Sequence, residues 1–174
     1  TRPAVAPQSA ARPDRKAAIL LAAEKLIAQR GYHGVSLREI AAEAGVPLAL
    51  VGYYFGAKHE LFHAIFAHWR PTIEARLALL RDAVARTQPQ PEALHRIVRA
   101  FVEPVLRMRT SPEGEFYALL VSRELLYVRD ETDRVLREFF DPLAHAFIDA
   151  LHTVRPQASR AQAAWSYQFA LGAL

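Results

Sequence analysis

Ser36, Arg38, Tyr53 and Lys58 fall within one short stretch of the chain, and their chemistry is that of gripping phosphate rather than of breaking bonds. Hydroxyls at Ser36 and Tyr53 and the ammonium of Lys58, close to a helix N-terminus, suit phosphate oxygens, while the Arg38 guanidinium can contact a phosphate or fork onto guanine O6 and N7. Between them Leu48, Ala49 and Leu50 offer only apolar contact, which suits thymine methyl groups. Gly52 either lets a nucleic-acid backbone come close or relieves crowding between helices. His59 and His63 stand at metal-ligand spacing with His68 nearby, but Glu60 is the one adjacent carboxylate, so no metal site is expected. No Gly-rich phosphate loop, G-x-S-x-G elbow or HExxH helix is present, and no catalytic residue, enzyme activity or cofactor is expected.

The elements that must position these side chains are legible over residues 31–61. Leu37, Ile40, Ala41 and Ala44 repeat at the spacing of one helical face, with Arg38, Glu39, Ala42 and Glu43 on the other. Ser36 precedes that face with Glu39 three residues on, a capping box in which each side chain satisfies the other residue's amide. Gly45 supplies the permissive backbone of a sharp turn, and Pro47 fits the first turn of the next helix. Ala41 lets the second helix approach closely, and Val46, Val51 and either Tyr54 or Phe55 close the wedge, since at least one of those two rings must point inward. This is a helix-turn-helix, a device for reading double-stranded DNA, and its outward face is Leu48, Ala49, Leu50, Gly52 and Tyr53.

These residues resemble the TetR family of bacterial regulators. The elements that carry the likeness are Val35-Ser36, Ile40-Ala41, Ala44-Gly45-Val46, Tyr53-Tyr54-Phe55 and Lys58, within a signature spanning roughly Arg15 to Trp69. The chain departs from the family at Pro47, where Ser or Thr is common, and at Gly52, where a larger side chain is common. A hydroxyl contact and a bulky contact are therefore missing from the reader. The resemblance implies DNA-contacting residues among Ser36, Arg38, Pro47, Leu48, Ala49, Leu50, Gly52, Tyr53, Tyr54 and Lys58.

Charge distribution agrees. Residues 1–70 hold nine Lys and Arg against five Asp and Glu, while the remainder holds thirteen of each, so the whole excess of +4 lies with the reader, where counterion release from DNA needs it. With 52% hydrophobic residues the chain can build a real core. No apolar run approaches the ~20 residues of a membrane span, and the Pro/Ala/Arg-rich start lacks the apolar centre of a secretory signal, so a soluble cytoplasmic protein with no membrane partner is expected. The absence of Cys removes disulfides and thiolate chemistry.

The rest reads as helices. Ile19, Ala22, Ala23, Leu26 and Ile27 mark a first helix ending near Gly31, and Leu61, Phe62, Ile65, Phe66 and Trp69 mark a linking helix over 58–70. Ile73, Leu77, Leu80 and Val84 continue the period to a break over 87–91. A wide stripe from Leu94 to Leu106 follows, with Pro104 expected to kink it or shift a turn. Pro112 precedes Phe116, Leu119, Leu120, Glu124 and Tyr127; Pro142 is a kink or restart within the run from Val135 to Leu151; Ser159 opens a final helix. The fold class is therefore all-α: an N-terminal three-helix helix-turn-helix domain (15–57) after a tail (1–14), in which Arg2 and Arg12 could lie along phosphates, and a C-terminal helical bundle (58–174). The apolar end at Gly172-Ala173-Leu174, without a cap, reads as an incomplete final helix.

The bundle's aromatic and aliphatic residues could line a cavity, and the resemblance implies an effector site there. Its candidate residues are Phe66, Trp69, Ile73, Phe101, Val105, Met108, Phe116, Leu120, Glu124, Tyr127 and Phe139, with Glu124 the polar group that could meet a ligand or instead pair with an Arg. Their character suggests an apolar or aromatic small molecule. By the same resemblance the homodimer would use Phe140, Leu143, Phe147, Leu151, Trp165, Phe169 and Gly172. A two-fold dimer reads two half-sites about 34–36 Å apart, a palindromic operator. The implied mechanism is a repressor released when effector binding shifts the linking helix. The competing reading is a helical ligand-binding or protein-interaction module that uses the apolar face at Leu48, Ala49 and Leu50 for a protein and binds no DNA.

Overall fold

The computed structural model describes residues 14–86, 90–112, 114–124 and 130–173. The tail with Arg2 and Arg12, the Thr87 to Pro89 part of the break, Tyr127 and Leu174 lie outside the described residues. Among the described residues the secondary structure is helical with no strand: α1 (Arg15–Arg30), α2 (Leu37–Glu43), α3 (Leu48–Phe55), α4 (Lys58–His68), α5 (Arg70–Ala85), α6 (Gln90–Thr110), α7 (Glu115–Glu124), α8 (Asp130–Val135), a π-helical turn (Leu136–Phe140), α9 (Asp141–Val154) and α10 (Arg160–Gly172). None of these helices is long and apolar enough to cross a membrane.

The starts and stops follow from local chemistry. The Asp14 carboxylate accepts the Lys16 and Ala17 amides at 3.0 and 3.1 Å and starts α1, and Gly31, at φ 82°, ends it. Ser36 and Glu39 form the expected capping box, a device that contributes about 1 kcal/mol. Gly45 takes the left-handed turn at φ 65°. Pro47 stands at the N-cap of α3, one position before the first turn expected for it, and its carbonyl accepts the Leu50 amide at 2.9 Å. The linking helix ends at His68, short of residue 70, because Trp69 leaves helical geometry at ψ 2° and α5 restarts at Arg70 with Pro71 in its first turn. Helix α6 runs unbroken through Pro104. Around Pro142 the chain restarts, as the π-turn hands over to α9. A second capping box, Ser159 with Gln162, starts α10.

Ile19, Ile27, Ile40, Val51, Leu61, Phe62, Ile65 and Phe66 are fully buried, forming one continuous core that joins α1–α3 to the bundle through α4. Phe66 is its hub, with rings of Phe62, Tyr117, Phe140 and Phe139 at 5.1, 5.8, 5.9 and 6.4 Å. The stripe on α6 is narrower than its sequence: Val98 and Leu106 are exposed. Helix α1 packs more extensively on α7 than on α2 or α3.

Candidate nucleic-acid interface and internal cavity

The reader's outward face is as the period places it. Leu48 is 44% exposed and Tyr53 80%, with Ala49 and Gly52 also exposed and Leu50 half-buried. A tyrosine exposed to that extent buries little against the described residues and is available to a partner. Val51 is buried beneath it, Phe55 is the ring that turns inward, and Tyr54 remains 38% exposed, edge-on to Tyr53 at 5.3 Å. Among the described residues, no atom outside the neighbouring residues and backbone of its own helix lies within 4 Å of where a Gly52 Cβ would sit, so Gly52 relieves no crowding against another element there. Arg38 is exposed and makes no ion pair with another described residue.

Two expected phosphate ligands are otherwise occupied. The Ser36 hydroxyl donates to the Glu39 carboxylate at 2.8 Å and accepts the Glu39 amide at 3.3 Å. The Ser36 backbone amide, donating to the Glu39 carboxylate at 2.8 Å, then the Ser36 hydroxyl and Arg30, also at 2.8 Å, hold the Glu39 carboxyl below its ordinary range. Lys58 is turned inward: its ammonium donates to the Tyr32 carbonyl and lies 4.3 Å from the centre of the Tyr32 ring, clamping the α1–α2 loop to α4.

A second polar cluster, invisible in the sequence motifs, joins the reader to the bundle. Glu24 on α1 is 2% exposed and accepts the Trp69 indole N–H at 2.8 Å. Burial pushes its carboxyl up to about 7, opposed only by that hydrogen bond and by the Tyr117 backbone amide. Trp69 in turn stacks on Tyr117 of α7 at 4.7 Å. At the other end of α7, Glu124 accepts the Tyr32 amide at 3.2 Å and Arg123 donates to the Gln29 carbonyl at 2.8 Å. Gly31 is required here twice over, for its positive φ and because a Cβ would come 3.3 Å from the Glu124 carboxylate. Glu124 is thus a buried strut at the reader, not a ligand group in the bundle. Its partners are a backbone amide and, at 3.8 Å, Arg123.

A cavity of about 550 Å³ lies among α5, α6, α7, the π-turn and α10. Of the expected lining residues it takes Ile73, Val105 and Met108. Phe66, Leu120 and Phe139 are core instead, at 0, 0 and 3% exposure. Trp69 and Phe116 face other clefts beside α1 and α6, and Phe101 lies against Phe147 and Tyr167 at 5.2 and 5.3 Å. Phe140, Leu143 and Gly172, expected at a dimer interface, line the cavity. Leu143 and Phe147 are each 1% exposed and closed to any partner; Leu151 is half-buried, whereas Trp165 and Phe169 stand 64 and 74% exposed. The sequence reading missed Arg76, Tyr117 and Tyr167 on the cavity wall. The signal existed for Arg76, which falls on the inner stripe between Ile73 and Leu80. His63 bonds Glu138 at 2.6 Å beside Arg70, which donates to the same carboxylate at 2.6 Å.

Two family models match the chain. The model for bacterial regulatory proteins of the tetR family matches residues 19–65, and that for a tetracyclin repressor-like C-terminal domain matches residues 99–174. The HTH-type transcriptional activator FasR of Mycolicibacterium smegmatis is 29% identical over 53% of the chain and 41% of its own length. The HTH-type transcriptional dual regulator CecR of Shigella flexneri is 31% identical over 58% of the chain and 48% of its own. The aligned region thus spans less than half of either relative. The crystal structure of HlyIIR, a hemolysin II transcriptional regulator, superposes with a TM-score of 0.68 at 23% identity, covering 90% of this chain and 85% of that one.

Proposed function

Because the chain belongs to the TetR family of bacterial regulatory proteins, we propose that it is a transcriptional regulator that binds a palindromic DNA operator as a homodimer and releases it when a small, largely apolar effector enters the bundle. The carrying observation is the outward face of α3, where Tyr53 at 80% exposure, Leu48 at 44% and an unhindered Gly52 leave the surface open to a partner, as a recognition helix in a major groove requires. In this reading residues 15–57 are the reader and 58–174 the effector and dimer domain. Tyr53 and Arg38 hold phosphates or a guanine edge, Leu48, Ala49 and Leu50 touch thymine methyls, and Gly52 lets the backbone approach. Trp165 and Phe169 are the exposed apolar side chains that a second copy would cover.

Effector release acts through the cluster between the domains. Tyr117 borders the cavity, Trp69 stacks on Tyr117 at the α4–α5 break, and Glu24 ties Trp69 to α1. A ligand that displaces Tyr117 therefore moves the reader of each protomer, and the two half-sites are lost together. Repression is the simpler sign, since occupying an operator blocks transcription without a further contact.

Selection from a random duplex library tests the reading. Enrichment of a two-fold symmetric site, bound with a steep salt slope and weakened by Tyr53→Ala and Arg38→Ala, supports it. Absence of enrichment, with a protein captured through the apolar α3 face instead, rejects it.

A further inference from the structure

Arg76 is the anomaly of the bundle. Projecting from the inner face of α5 into the cavity wall, it is 9% exposed, and among the described residues its guanidinium makes no hydrogen bond and no ion pair, with Nε buried and unpartnered. The guanidinium lies over the face of Phe101, 5.6 Å from the ring centre. Tyr117, at 3% exposure, also keeps a buried hydroxyl without a partner. The two lie within electrostatic reach of each other, as does Tyr167. A buried guanidinium charge without a partner is destabilising, and a buried phenol without a partner adds to that. Desolvation lowers the Arg76 pKa, yet a guanidinium stays charged in proteins. Asp141, the carboxylate on the lining, lies beyond ion-pair distance and is itself exposed. Arg109 adds a second cation to the wall. Around these groups the surface is Ile73, Val105, Met108, Val121, Leu136 and Phe140.

We propose that the cavity binds an apolar molecule carrying a single carboxylate, with the carboxylate held by the Arg76 guanidinium and the Tyr117 hydroxyl and the apolar body along α6 and the π-turn. The inference rests on the regulator reading only for its biological consequence; binding itself requires only the cavity. A carboxylate answers both unpartnered groups at once, accepting a forked pair of hydrogen bonds from Arg76 and one from Tyr117. A neutral ligand leaves the buried charge uncompensated, and a cation repels it. The cavity volume of about 550 Å³ lies within the ~300–1,000 Å³ of small-molecule sites. Since Tyr117 stacks on Trp69, binding at Arg76 also reaches the α4–α5 break.

The test is titration calorimetry and Trp fluorescence on the full chain with decanoate and naphthylacetate, each against the alcohol of the same skeleton. At least one carboxylate should bind about ten- to a hundredfold more tightly than its alcohol. Arg76→Met should erase that preference while leaving the alcohol's affinity in place, and Tyr117→Phe should reduce it. Should Arg76→Met not fold, Arg76→Lys and Tyr117→Phe carry the same comparison, each expected to narrow the preference. Equal affinity for acid and alcohol, no binding by either acid, or a preference that survives these substitutions overturns the proposal. Operator binding measured in parallel separates the two readings. No preference in the unsubstituted chain with DNA binding intact defeats the carboxylate site alone, and a preference that Arg76→Met erases, without DNA binding by the unsubstituted chain, defeats the regulator reading alone.

Discussion

Glu24→Gln removes the buried charge beneath Trp69 while keeping a side-chain oxygen to accept the indole N–H. In the native chain burial holds this carboxyl at about 7 against an ordinary 4.5, so the folded state keeps a proton that the unfolded state has already released. Because the folded pKa is the higher one, stability is unaffected below the unfolded value and declines as pH rises from about 4.5 to about 7, levelling off above that. At about 1.4 kcal/mol per pKa unit the full effect is roughly 3 kcal/mol, of which about 2–3 kcal/mol falls between pH 5 and pH 8. The glutamine variant lacks that titration. Urea unfolding of both proteins, followed by circular dichroism at one protein concentration at pH 5 and at pH 8, should show the variant gaining on the wild type by that amount as pH rises. A constant difference, or one that shrinks with pH, would mean that Glu24 is solvated or paired in solution and would refute the argument.

Lys58→Ala should lower stability, by releasing the Tyr32 carbonyl, while leaving the salt slope of DNA binding unchanged; a slope reduced by about 1 would return Lys58 to a phosphate. Gly52→Ala should raise stability by about 0.5–1 kcal/mol in thermal melts, because helical glycine is unfavourable and the added methyl meets nothing, yet weaken operator binding in gel-shift titration. Joint replacement of Trp165 and Phe169 by Asp should give a folded monomer in sedimentation, since both rings are exposed within the chain.

The reader was legible because its information is local. A cap, a turn glycine and a helical period lie within a few residues of one another, and Ser36, Gly45 and Val51 each do what their position dictates. The bundle's period was equally plain, yet period distinguishes inside from outside and not core from cavity. Phe66 and Phe139 belong to the first, Ile73 and Val105 to the second, and only the spacing between α5, α6 and α7 decides which. The inward contact of Lys58 and the amide contact of Glu124 were hidden for a related reason, since the Tyr32 carbonyl and amide are backbone groups that carry no signature in side-chain type; the pairing of Glu124 with an Arg was legible and falls to Arg123 at 3.8 Å. Arg76 and Glu24 were overlooked as charges on inward stripes, where the pattern itself marks them as exceptional.

The packing of α1 on α7, pinned by Glu124 to Tyr32, Arg123 to Gln29 and Glu24 to the Tyr117 backbone amide, sets a rule for anyone building chimeras from this chain. A recognition head grafted from another regulator at the α3–α4 junction would arrive with a foreign α1 and leave α7 facing a surface it does not fit. Transplantable specificity here is the exposed face of α2 and α3 alone, a handful of side chains exchanged in place, or else a head that carries its own α7 with it.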